Sequence, residues 1–420
     1  MESPTLPRSL RALDWLNFFL ADVQTGVGPF LAVYLAANQW NPQQVGLALT
    51  CGGLAGVLAQ TPGGALVDAT RRKRTLLSIG LAFLVAAALA LALKPVLPFV
   101  ISAQVILGAV GAILAPTVAA ITLGLVMPGD FDRRFGRNQA FNSAGNVAAA
   151  LLMGGLGFAI SNRAIFFAVP FLAVPCLIAL SAIDPRDIDY ARSRGARHDH
   201  GTEQPSAIQA LLSDRRLLAF VSCSVLFHFA NAAMLPQLGE MLAHGRAKVS
   251  APFMSACVIV TQLVISLSAS WIGAKAATWG RKPLLLIGFG VLPIRGVLYT
   301  LTKSVPLLIG IQILDGVANA IFVVVSILVV ADLTQGTGRF NVTQGALAAA
   351  VGIGAGLSTA FAGYLVQHSG YAFSFLALAA IAVVAWVMLW TLVPETLGSL
   401  TKRPDRPEKT AFETAAPQDR

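Results

Sequence analysis

The stretch Gly64-Ala-Leu-Val-Asp68-Ala-Thr-Arg-Arg72-Lys73-Arg-Thr-Leu76 returns as Gly273-Ala-Lys-Ala-Ala277-Thr-Trp-Gly280-Arg281-Lys282-Pro-Leu-Leu285, 209 residues later in a chain of 420. Each copy is a short basic connection between two long apolar runs. The offset is close to half the chain, so the surroundings of the connection are duplicated with it. A duplicated cationic hinge within a duplicated set of apolar spans predicts a carrier built from two related halves.

The composition around the hinges is that of a membrane protein, with 56% hydrophobic residues, 12% charged residues and a mean hydropathy of +0.71. Apolar runs of about 20 residues, enough to cross about 30 Å of hydrocarbon as helix, recur twelve times. They cover 13–36, 43–66, 75–93, 98–126, 138–160, 164–183, 217–241, 251–274, 284–302, 306–330, 342–365 and 371–392. The runs are continuous, whereas a membrane barrel needs alternating segments of about ten residues. The expected fold class is an all-α membrane protein with twelve transmembrane helices in two pseudo-symmetric six-helix bundles.

A net charge of +10 invites a nucleic-acid reading, but its distribution argues against one. With the N-terminus in the cytoplasm, Arg8, Arg11, the run Arg71 to Arg74, Arg133, Arg134, Arg137, Lys275, Arg281, Lys282 and Arg339 all fall inside. Lys94, Arg163, Arg246, Lys248 and Lys303 fall outside. The asymmetry follows the positive-inside rule and sets both termini in the cytoplasm, in a multi-pass protein expected in a bacterial inner membrane. The charged start runs directly into a full-length span, read as an uncleaved anchor. Cys51, Cys176, Cys223 and Cys257 lie in apolar spans without short spacing and read as small hydrophobes.

The expected organisation is an N-terminal six-helix half (1–183), a cytoplasmic linker (184–214), a C-terminal half (215–395) and a disordered tail (396–420). Within the linker, His198-Asp-His200 is a weak metal motif, and no metal or cofactor is expected. The halves correspond beyond the hinge. Phe18-Phe19-Leu20-Ala21-Asp22 in span 1 matches Phe227-His228-Phe229-Ala230-Asn231 in span 7. Gln104, Gly108, Ala112 and Ile113 in span 4 match Gln312, Gly316, Ala320 and Ile321 in span 10. Gly136-Arg137 and Gly338-Arg339 introduce spans 5 and 11. Six spans return the chain to its starting side, so the repeat is parallel.

On these residues the chain resembles the major facilitator superfamily, whose hinge signature reads Gly-x-Leu-x-Asp-Arg-x-Gly-Arg-Lys. Gly64, Leu66, Asp68, Arg72 and Lys73 match the first copy, with Arg71 at the second glycine. Gly273, Gly280, Arg281 and Lys282 match the second, where Ala277 replaces the acid. The resemblance covers about residues 10–395 and leans toward efflux-type members. Two markers of that branch differ here: span 4 reads Gln104-Val-Ile-Leu-Gly108, without the arginine, and span 5 reads Ala150-Leu-Leu-Met-Gly154-Gly155, without the proline. The resemblance implies that spans 1, 4, 7 and 10 line a central cavity. The expected partners are a small-molecule substrate, protons and the lipid bilayer, with two six-helix halves rocking around a midplane site. The sequence carries no Walker-type Gly-rich Lys motif, so ATP is not expected as the direct energy source.

The residues that carry chemistry are few. Asp22 lies roughly 14 Å into span 1 at about 1.5 Å per residue. A carboxylate at that depth costs about 2.5–3.5 kcal/mol or more, so it must face the cavity, find a partner or be protonated. Gln104, His228, Asn231, Asp315 and Asn319 complete the expected cavity and proton-coupling set, with Asp315 and Asn319 one helical turn apart. Arg295 in span 9 and Asp315 in span 10 lie at compatible depths and form a candidate ion pair. Gly64, Asp68, Arg72, Lys73, Gly273, Gly280, Arg281 and Lys282 form the gating hinges, capping helix ends and pairing helices. Small residues in spans 5 and 11 predict close helix approach. Gly28-Pro29 and Pro236 are expected to loosen spans 1 and 7 near their outer ends.

The functional expectation is proton-coupled export of a small organic compound by a monomer, with protons entering through Asp22. An uptake symporter or facilitator for a polar metabolite stands as the alternative, and a membrane enzyme or transporter-like sensor fits less well. No nucleophile–base constellation is present.

Overall fold

A computed structural model of the chain describes residues 6–127, 131–190, 193, 214–334 and 340–397. His198-Asp-His200, Gly338-Arg339 and the tail beyond residue 397 lie outside these described residues. Span 1 is the helix Leu6–Val27 followed by the short helix Leu31–Ala37. Spans 2 to 6 are Pro42–Ala69, Lys73–Leu93, Leu97–Leu125, Phe131–Ala159 and Asn162–Ser181. Spans 7 to 10 are Arg215–His244, Lys248–Trp279, Arg281–Leu301 and Val305–Thr334. Spans 11 and 12 share Phe340–Leu392, divided where Gly370 takes φ 81° and ψ 169°. Such a positive φ suits glycine.

Among the described residues, nine helices are long and apolar enough to cross a bilayer on composition alone. One of them, Thr343–Leu392, crosses twice. Spans 1 and 5 complete the twelve, their helices carrying more charge near the start. The architecture is all-α, with the two six-helix bundles expected from the duplicated hinge.

Local sequence explains the boundaries. Asn41 and Gln44 make a reciprocal capping box at the start of span 2, with Pro42 in the first helical turn. Span 1 stops at Val27, just before Gly28-Pro29, and resumes at Leu31. Span 7 is interrupted at Ala233, where Pro236 has no N–H to offer the Ala232 carbonyl.

The halves meet along two pseudo-symmetric seams, span 2 with span 11 and span 5 with span 8. In the first seam Gly46 packs on the backbone at Thr359 and Gly363, and Gly53 approaches Gly356. In the second, Gly157 packs on Ala251 and Gly154 on Ser255. A hydroxyl bridges each seam. Thr50 Oγ1 donates to the Gly356 carbonyl at 2.6 Å and accepts from the Ala360 N–H at 2.9 Å. Ser255 Oγ donates to the Ala150 carbonyl at 2.5 Å. All these contacts lie in the parts of the spans remote from the termini, where Gly239 of span 7 also faces Val33 of span 1. The bundle is therefore closed at the end opposite the termini.

Candidate functional site

The C-terminal half holds a buried polar network built from four spans. Arg295 of span 9 is 1% exposed and Asp315 of span 10 is 7% exposed. Arg295 Nη1 and Asp315 Oδ1 form an ion pair. Arg295 Nη2 donates to Asn231 Oδ1 of span 7 at 2.6 Å. Asp315 also accepts from Gln312 Nε2 at 3.0 Å, Asn319 Nδ2 at 3.0 Å and Thr261 Oγ1 of span 8 at 3.2 Å. The Tyr299 hydroxyl donates to Gln312 Oε1 at 2.6 Å and its ring lies 5.6 Å from the Arg295 guanidinium.

Helical spacing assembles the network. Gln312, Asp315 and Asn319 share one face of span 10, as Arg295 and Tyr299 do on span 9. Four donors converge on one carboxylate, one of them cationic. Sequence reasoning found Arg295, Asp315, Asn231, Gln312 and Asn319, but missed Thr261 and Tyr299. A threonine or tyrosine in an apolar helix has no polar signature until a neighbouring helix is placed.

The N-terminal half is arranged differently. Asp22 is 4% exposed, and its carboxyl lies against the backbone of Ala149 in span 5 and within electrostatic reach of Cys176 in span 6. Its Oδ1 is buried without a hydrogen-bond partner. Asn17, Leu20 and Gln24 occupy another face of span 1 and line a cavity of about 170 Å³ with Thr122, Asn138, Gln139 and Asn142. Positions 20, 22 and 24 lie roughly 160° apart in steps of two on a helix, which separates Asp22 from that face. Of the two environments open to it, Asp22 occupies the packed interior between spans 1, 5 and 6. Gln104 is likewise packed inside its half, against Gly52 of span 2. It does not join a network as its repeat mate Gln312 does.

The cavity wall in the N-terminal half is rich in amides. Asn138 Nδ2 donates to Thr122 Oγ1 at 2.9 Å, and Asn146 Nδ2 to Asn142 Oδ1 at 3.2 Å. His228 is half-buried between rings, 4.4 Å from Phe322 and 5.2 Å from Phe227 centroid to centroid. Its Nδ1 lies 3.0 Å from the Ser224 carbonyl, which can only accept, so Nδ1 carries the hydrogen. Glu240 escaped sequence reasoning. It is 3% exposed in the distal part of span 7, with Oε2 unpartnered, near the Tyr371 hydroxyl, itself without a partner.

The hinges hold helices within one half. Lys73 is buried, and its Nζ donates to the Val67 carbonyl at 2.8 Å and to the Thr70 carbonyl at 3.4 Å, closing the end of span 2. Asp68 and Arg72 are exposed, and the neighbourhood of Gly64 is open. In the second hinge, Gly280 takes φ 103°, and Glu395 caps the start of span 9 by accepting from the Arg281 and Lys282 N–H groups at 2.9 and 3.0 Å. Arg281 Nε also donates to Asp332 at 3.1 Å. Gly273 is loosely surrounded, since a Cβ added there would meet only the Val324 side chain, at 4.0 Å.

Twelve helices in two related halves, closed at one end and lined with buried polar groups, define a polytopic membrane carrier. The chain belongs to the Major Facilitator Superfamily, whose family model matches residues 14–292 and 249–416. It is 43% identical over 405 residues to an MFS-type transporter of Mycobacterium tuberculosis strain H37Rv, covering 96% of this chain and 97% of that protein. The corresponding MFS-type transporter of strain CDC 1551 matches equally.

Its fold is similar to that of the nucleoside transporter NupG, with a TM-score of 0.74, 15% identity, and coverage of 93% of this chain and 99% of that one. A bacterial homologue of the human lysosomal transporter Spinster, in an inward-facing and unoccupied conformation, gives a TM-score of 0.71 at 12% identity, with coverage of 93% and 97%. The protein is thus a multi-pass secondary transporter that moves a small solute across the bilayer by alternating access.

Proposed function

We propose that this transporter exports a small polar organic solute in exchange for protons, with Asp22 as the proton site. The observation that carries the reading is the contrast between its two acids. Asp315 is matched by Arg295 and three neutral donors, whereas Asp22 is buried with Oδ1 unpartnered and has no ion-pair partner among the described residues. An unpaired charge in that setting is costly, so the packed arrangement of spans 1, 5 and 6 goes with a neutral carboxyl. Losing the proton then requires those spans to rearrange, which links protonation to access.

The solute site in this reading combines the amide-lined wall of spans 1, 4 and 5 with Asn231, Asn319 and His228 of the other half. Amides, an imidazole and a neutralised ion pair suit a polar or weakly basic molecule better than a polyanion. Export follows the resemblance to efflux-type members, and a cavity nearer the termini would load from the cytoplasm. The test is solute flux in proteoliposomes under an imposed pH gradient, comparing the wild type with Asp22→Asn. Gradient-driven export in the wild type and its loss in the variant are expected. Unchanged export in Asp22→Asn removes the assigned role, and gradient-driven uptake reverses the direction.

A further inference from the structure

The two halves treat the first turn of their third helix differently, and the difference defines a site. In the C-terminal half, span 9 begins at Arg281 and its first N–H groups are capped by Glu395, which follows Pro394 at the end of span 12. The matching helix of the N-terminal half is span 3, beginning at Lys73. Pro185 lies 209 residues before Pro394, so Arg186 stands where the other half has Glu395. The acceptors agree in frame, Ser181 and Trp390 lying 209 residues apart: a basic side chain near the start of each helix donates to them, Arg74 Nη2 to the Ser181 carbonyl at 3.1 Å and Lys282 Nζ to the Trp390 carbonyl at 2.6 Å. At the position of Glu395, span 3 is offered an arginine side chain, which donates hydrogen bonds and cannot accept them as the Glu395 carboxylate does.

What the first half has in place of the carboxylate is a cavity of about 580 Å³, lined by Arg72, Arg74, Thr75, Ser78 and Tyr190 over an apolar wall at Leu177. Arg74 Nε is buried there without a hydrogen-bond partner. A second cavity shares Ser181 and Pro185 with it and adds Arg8 and Arg186, opposed by Asp184. Helix N-termini and clustered arginines both select anions. Below the cavity, Ile79 and Phe83 of span 3 and Val174 and Ile178 of span 6 form an exposed apolar flank.

We propose that this cavity binds the phosphate of an anionic phospholipid, in the leaflet on the side of the termini. The lipid phosphate supplies from outside the negative charge that Glu395 supplies internally to the other half, while the acyl chains lie on the apolar flank. That continuity of basic pocket and lipid-facing surface favours a lipid over a free phosphate. The proposal is independent of the proton-coupling assignment.

The test uses the purified full chain in detergent, with phosphatidylglycerol, phosphatidylcholine or inorganic phosphate added. Native mass spectrometry reads retained lipid, and thermal unfolding reads stabilisation. Wild-type protein is expected to retain phosphatidylglycerol selectively and to unfold at a higher temperature with it. Arg72→Gln/Arg74→Gln is expected to hold that lipid about thirtyfold less tightly. Arg215→Gln/Arg216→Gln removes the same charge from exposed positions in the other half and is expected to keep wild-type retention. Equal affinity of the wild type for the two lipids overturns the proposal. So does an equal loss in both double variants, which marks general charge attraction. Full stabilisation by inorganic phosphate alone overturns the lipid assignment.

Discussion

Replacing Asp315 by leucine would leave the guanidinium of Arg295, 1% exposed, without its counter-ion. Gln312, Thr261 and Asn319 would lose an acceptor in the same step. Removing one member of a buried pair costs about 3–5 kcal/mol. Unfolding entropy of about 2.1 cal/mol/K per residue scales to roughly 0.9 kcal/mol/K for 420 residues, so the melting temperature should fall by about 3–6 °C. Arg295→Met should cost less, because three neutral donors still solvate the carboxylate. The double variant Arg295→Met/Asp315→Leu removes both charges and should return to within about 1 kcal/mol of the wild type. The assay is a double-mutant cycle on thermal unfolding of the purified protein in detergent, with an expected coupling of about 3 kcal/mol or more. Single losses that simply add, with coupling below about 0.5 kcal/mol, would refute the view that the network is organised around this pair.

Other outcomes follow from the seams and the second hinge. Thr50→Val with Ser255→Ala removes both hydroxyl bridges between the halves. At about 1 kcal/mol for each bridging hydroxyl, the equilibrium should move roughly thirtyfold toward opening at the end remote from the termini. Distances between spin labels at the distal ends of spans 2 and 11 would report it, and an unchanged distribution counts against the latch. Gly280→Ala should destabilise by about 1–3 kcal/mol from its positive φ alone, with added crowding against Glu395. Gly64→Ala, in open helical surroundings, should be neutral or slightly stabilising in the same thermal assay.

Much of the architecture was legible because the bilayer imposes a length on every apolar run. Span boundaries read from hydropathy lie within a few residues of the helices for Lys73–Leu93, Leu97–Leu125 and Arg281–Leu301. A loosening of spans 1 and 7 at Gly28-Pro29 and Pro236 was legible too, since proline lacks a donor and glycine tolerates the turn, and the structure goes further by interrupting both helices there. Span 5 begins earlier than its apolar stretch, at Phe131, because its first turns are charged and a charge at a helix end costs little. Arg134 there pairs with Asp14 at 2.7 Å, a contact between distant segments that no local pattern shows.

The sequence by itself determined the number of spans, the duplication and the intramembrane groups Asp22, His228, Arg295 and Asp315, though not Glu240, because hydrocarbon penalises each exposed backbone group and charge whatever the tertiary arrangement. It also placed Arg295 and Asp315 at matching depth. Only the tertiary structure decided which way each polar side chain turns. Helix rotation and helix neighbours send Asp22 toward Ala149 and Cys176, away from the face of Asn17 and Gln24, and send Gln104 against Gly52. The same packing recruits Thr261 and Tyr299 to Asp315 and Gln312, and buries Glu240 near Tyr371. A rotation of some 100° per residue separates a cavity wall from a helix interface, and that angle is set by which small residues let which helices approach.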